Sequence, residues 1–141
     1  MYEHILLPTD GSRLSEEAVE AGVRLAKALG ARVTGLHVIV ESRVAAGIGK
    51  ADRPASDHPE AAAAQHLRVV AEAAKRAGVP HEDFHVRAES PHEGIVAAAA
   101  ARGCDLIFMA SHGRRGIAGL LLGSETTQVL SRCKIPVLVH R

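Results

Sequence analysis

Two short segments of this chain are apolar at nearly every position. His4-Ile5-Leu6-Leu7 is closed by Pro8, and Leu106-Ile107-Phe108-Met109-Ala110 follows Asp105. A strand with one wet face alternates apolar and polar residues, so an unbroken apolar strand must be covered on both sides. Sheets covered on both sides are parallel, and parallel strands need long crossovers, usually helices.

The rest of the chain supplies those crossovers. Ser12 reads as the cap of a first helix, with Glu16 and Glu17 in the first turn where the helix dipole favours acids. Leu14, Ala18, Gly22, Leu25 and Leu29 recur at steps of four and three, which predicts one apolar stripe ended by Gly30. Residues 31–40, ARVTGLHVIV, read as a second strand. Residues 41–57 have no periodicity, and their composition predicts a mobile surface loop. A second helix is expected from Pro59 through the Ala-rich stretch to Ala77, and a third strand over 83–89. Ser90 as cap, Pro91 at the first helical position and Glu93 closing a capping box then start a third helix. The fourth strand is 105–110, the fourth helix about 124–133, and the fifth strand 135–141. Five strands alternating with four helices predict one α/β domain over 1–141. The architecture is an open, doubly wound parallel sheet with helices on both faces.

Composition narrows the function. Aromatic residues are 2% of the chain against 47% hydrophobic, so the core is aliphatic and offers no stacking platform for single-stranded nucleic acid. A net charge of +1 provides no bulk attraction to nucleic acid or to an anionic membrane. The opening MYEHILLPTDG has neither a cationic region nor a cleavage site, and no long apolar stretch follows, so a soluble cytoplasmic chain is expected. Cys104 and Cys133 lack a CxxC spacing and read as small hydrophobes. His81 and His85 in HEDFH are four apart, a spacing that shares one face of a helix. Here it falls in a strand-like run with no further ligands, so no metal site is expected.

In such sheets ligands bind beyond the carboxyl ends of the strands, where strand order reverses. Two strand ends are equipped for it. Asp10, in PTDG after the first strand, is either a crevice carboxylate or a turn residue and auxiliary cap. After the fourth strand, Gly113, Gly116, Gly119 and Gly123 permit positive φ and leave no Cβ in the way of an anion. Gly123-Ser124 opens a helix whose free N–H groups favour phosphate, with Arg114 and Arg115 nearby. The bland alternative is a flexible turn with Ser124 as an ordinary N-cap. No Walker lysine and no GxGxxG after the first strand occur, and Ser111-His112 has no third group to orient it.

Three stretches carry a resemblance: HILLPTDGS, GLHVIV, and DLIFMASHGRRGIAGLLLGSETTQVL with IPVLVHR. On these the chain resembles the universal stress protein A family, small cytoplasmic α/β proteins, over its whole length. ATP-binding members carry G-x2-G-x9-G-S/T after the fourth strand. That pattern falls here on Ala110, Gly113, Gly123 and Ser124, with alanine in place of the first glycine. The resemblance implies a Rossmann-like sheet of order 3-2-1-4-5 and a site for ATP, with Mg2+ or Mn2+. Pro8, Thr9 and Asp10 would border the adenosine, and Val38 or Ile39 would meet adenine through the backbone. Met109 and Ala110 would floor the site, while Gly113, Arg115, Gly123, Ser124 and Thr126 would line the phosphates. It also implies a homodimer through the last strand and a regulatory rather than catalytic protein, with at most slow ATP hydrolysis. The Ala110 methyl is expected to lower affinity, and the Glu125 carboxylate to repel a polyphosphate. The competing expectation is a member that binds no nucleotide and acts as a dimerising interaction module. A phospho-acceptor receiver domain fits less well, because PTDG has a single acid and the third strand ends at Glu89.

Overall fold

The computed structural model describes residues 1–42, 58–113 and 121–141. The elements run β1 (His4–Pro8), α1 (Arg13–Leu29), β2 (Arg32–Val40), α2 (Pro59–Ala77), β3 (His81–Ala88), α3 (Pro91–Ala101), β4 (Leu106–Ala110), α4 (Ser124–Arg132) and β5 (Val137–His140). Every strand pair is parallel, and the order is β3-β2-β1-β4-β5. Most of the segment expected to be a mobile loop, 43–57, lies outside the described residues; Glu41 and Ser42 already have helical backbone.

β1 and β4 are buried along their whole length, as their apolar runs demand. The pleat sends alternate side chains to opposite faces. Ile5, Leu7, Leu106, Phe108 and Ala110 join the cluster under α1 and α2, while Leu6, Ile107 and Met109 join the one under α3 and α4. Two helices therefore cover each face. Fully burying a Leu or Ile side chain stabilises a domain by about 1.5–3 kcal/mol, and Ile5, Leu6, Leu7 and Ile107 are wholly inaccessible. These central strands anchor the sheet.

The first helix differs from its expected stripe. Ser15, Ala18, Val19, Gly22, Val23 and Ala26 are buried, whereas Leu29 is exposed and Leu14 and Leu25 pack only at the margin. Small residues let the helix sit close: a Cβ on Gly22 would lie 2.4 Å from Leu7 Cδ2. Larger leucines flank that line rather than form it. The caps are as expected. Ser12 accepts the Ser15 N–H, Gly30 takes the left-handed conformation (φ 68°), and Ser90 accepts from Glu93 N.

At the opposite end of the sheet from the crevice, His4 is almost fully buried and donates through Nε2 to Thr34 Oγ1 at 2.6 Å. The Thr34 hydroxyl in turn donates to Glu82. Burial, aided by the Arg32 charge, pushes the His4 imidazole below its usual range. The unfolded chain then takes up a proton near pH 6.5 while the folded chain resists it. This contribution to stability is complete above pH 6.5 and declines as pH falls toward the lowered folded value. Thermal melts between pH 7 and 5 are expected to show a decrease of a few degrees in Tm, reduced in His4→Leu; equal slopes in the two proteins would exclude His4 as the source. The neighbouring Cys104 is a free, buried thiol that burial raises to about 11, so it stays protonated at neutral pH.

The two sheet edges are unlike. β3 exposes Glu82, Asp83, His85 and Arg87, and Arg87 pairs with Glu60 of α2. Charges of this kind discourage strand addition. His81 and His85 both lie on this strand, and among the described residues no group of three or more His, Cys, Asp or Glu is arranged to hold a metal. β5 is short and uncharged apart from His140, with Leu138 exposed. No helix among the described residues is long and apolar enough to cross a membrane.

Candidate functional site

The order β3-β2-β1-β4-β5 places the reversal between β1 and β4, so the turn after β1 and the loop after β4 face one crevice. The β1 turn is held tightly. Thr9 N donates to Leu36 O at 2.8 Å, and the Thr9 hydroxyl, almost buried, contacts Ser15 Oγ and accepts from Gly11 N. His37 Nδ1 lies 2.9 Å from Thr9 O and donates to it. Asp10 Oδ1 accepts the Ser12 N–H at 2.9 Å, the turn-forming role that was one of its two expected readings. Gly11 takes φ 77° to complete the reversal. Ser15 and His37 were not singled out in the sequence; a serine on the buried side of α1 was the available signal.

The loop after β4 meets this turn at Gly113. A Cβ there would stand 2.5 Å from Asp10 Oδ2, so any larger residue would have to displace the carboxylate. At Gly123 a Cβ would come within 3.2 Å of Ser111 O, a tight contact with backbone. Neither residue has the positive φ that the sequence reading expected; Gly123 is extended at φ −72°. The glycines serve proximity here, not left-handed geometry. Gly116, Gly119, Arg114 and Arg115 lie outside the described residues. Gly123, not Ser124, is the N-cap of α4, and Ser124 is the first helical residue.

Strand alternation assigns the remaining groups. Leu36 turns its carbonyl toward β1, so Val38, two residues on, turns its backbone N–H and C=O the same way, past the end of β1 at Pro8. Ile39 faces β3, opposite Arg87. Of the two expected positions, Val38 is the one whose backbone opens on the crevice, with its side chain packed on α3 at Gly94. Met109 and Ala110 are buried beneath the crevice. Ala110, the last residue of β4, joins the core cluster under α1 and α2. The Thr126 hydroxyl donates to Ala110 O at 2.9 Å and Ser111 O at 3.2 Å, and so clamps the end of β4.

Ser111 Oγ and His112 Nδ1 lie 3.0 Å apart, and among the described residues His112 Nε2 is buried with no partner. A different set does come together. Glu125 Oε2, from the first turn of α4, accepts both the backbone N–H and Nδ1–H of His92 at 2.8 Å, tying α4 to the first turn of α3. His92 Nε2 is a looser 3.4 Å from Ser90 Oγ, which already caps α3. Residues 33 apart met by tertiary packing leave no trace in local sequence.

An open parallel sheet of this order, with a glycine-containing loop at its reversal, defines a doubly wound, Rossmann-like α/β domain. The family model described as universal stress protein family matches residues 1–141. A universal stress protein of Thermus aquaticus is 32% identical over 150 aligned residues, covering 100% of both chains. One from Methanocaldococcus jannaschii is 33% identical, covering 99% of this chain and 94% of its own. A universal stress protein solved in complex with cAMP superposes with a TM-score of 0.72 at 26% identity, covering 99% and 97%. The chain belongs to the universal stress protein family.

Proposed function

We propose that this protein is an adenine-nucleotide-binding module that takes ATP in the β1–β4 crevice and acts in the cytoplasm as a stress-response sensor or regulator. The observation that carries the reading is the pinch between Asp10 and Gly113 at the point where strand order reverses. It brings both equipped strand ends to one place, beside the first turn of α4. Helix N-termini with close glycine backbone favour phosphate. Adenosine would lie along Pro8, Thr9 and Asp10 with adenine at the Val38 backbone. Met109 and Ala110 would lie under it, and Gly113, Arg115, Gly123, Ser124 and Thr126 would surround the phosphates, which carry Mg2+ or Mn2+. The cAMP bound by a relative that is 26% identical supports an adenine ligand class.

We also propose that the protein is a homodimer through β5, the uncharged edge of the sheet. The test is the nucleotide content of purified protein, released by heat and identified by chromatography, with calorimetric titration of ATP. Bound or titratable adenine nucleotide is expected. Absence of binding up to millimolar ATP would overturn the reading in favour of a dimerising interaction module.

A further inference from the structure

We infer that Glu125 sets the preference of this crevice among adenine nucleotides, disfavouring each phosphate beyond the first. This rests on the nucleotide reading above. Glu125 stands in the first turn of α4, two residues after the Gly123 cap. Its carboxylate does not trail into solvent: the same oxygen, Oε2, takes the backbone N–H and the Nδ1–H of His92, both at 2.8 Å. The side chain remains 39% exposed, so the charge is fixed in position yet partly screened.

Two helix N-termini thereby share one anion. Glu125 occupies an N–H of α3 and stands against the dipole of α4, the two sources of positive potential an incoming phosphate chain would use. A first phosphate at the start of α4 meets the N–H groups of that first turn beyond Gly123, whose own N–H is held by Ser111 O, and gains from them at short range. Each further phosphate adds charge beside a carboxylate that cannot swing away. Asp10, on the other side of Gly113, adds a second carboxylate to the same crevice. For a separation on the order of 8 Å screened as in water, each added charge weakens binding about two- to threefold. The triphosphate then loses roughly four- to ninefold against the monophosphate relative to the same site without Glu125.

The experiment is a ladder of adenosine, AMP, ADP and ATP titrated calorimetrically into the wild type and Glu125→Gln in low-salt, metal-free buffer. Glutamine retains an oxygen for the His92 N–H, and an unchanged Tm verifies the fold. Adenosine affinity is expected to be equal in both proteins, while the ATP-to-AMP affinity ratio rises about four- to ninefold in the variant. Near 1 M salt, where screening falls to about 3 Å, that difference should vanish. An equal change for all four ligands, adenosine included, would overturn the inference by showing that Glu125 acts only through α3–α4 packing. Identical ratios in both proteins would overturn it as well. If no ligand binds the wild type, the nucleotide reading itself is lost, and this inference with it.

Discussion

Gly123→Val is expected to abolish ATP binding while leaving the domain folded. The mutated position caps α4 and donates its N–H to Ser111 O at 2.7 Å, so its backbone is already committed to the end of β4. A Cβ at this point comes within 3.2 Å of that same oxygen and 3.4 Å of His112 Cα, both backbone atoms that cannot rotate aside. The two methyls of valine extend further and must push the first turn of α4 off the loop or project over the N–H groups proposed for phosphate. Overpacking of this kind costs about 1–3 kcal/mol. Valine is also a poor N-cap, adding a cost on the order of 1 kcal/mol. Calorimetry should find at least a hundredfold loss of affinity, with circular dichroism unchanged. Gly123→Ala, which asks the neighbours to yield by only a few tenths of an ångström, should be intermediate. Equal ATP affinity in wild type and the valine variant would remove the phosphates from this helix.

The second large effect is expected at β5. Backbone groups of Pro136 and His140 bond to β4, through Ile107 N and Ser111 N. By strand alternation the N–H and C=O of Val137 and Val139 therefore point away from the sheet. A second copy adding its own β5 across a two-fold axis would use those groups, antiparallel and with the same patch on both chains. Val139→Pro removes an outward donor without touching the β4 ladder, so it should yield monomers of near-wild-type fold. Light scattering at high micromolar concentration tests this. A wild type already monomeric there, or a dimer indifferent to the proline, would exclude pairing through β5.

What could be read from the chain by itself was the local pattern and whatever followed from it. Unbroken apolar runs at 5–7 and 106–110 required two-sided burial, and hence a parallel sheet with helices on both faces. Ser12, Gly30 and Ser90 marked helix ends because capping is decided within a few residues. The two loops at the reversal were legible because glycine and aspartate after apolar strands are uncommon without cause. Strand order itself came with the family resemblance, since no local signal states which strands are neighbours. Tertiary structure decided why the glycines are there: Gly113 and Gly123 keep ordinary φ and yield space to Asp10 and to Ser111, residues brought near by the sheet. It set Ala110 in the core cluster under α1 and α2, and turned the backbone of Val38, not that of Ile39, past the end of β1. It also seated Glu125 on His92, across 33 residues of chain. Contacts of that range depend on how helices α3 and α4 pack on one face, and periodicity in a single segment carries no information about them.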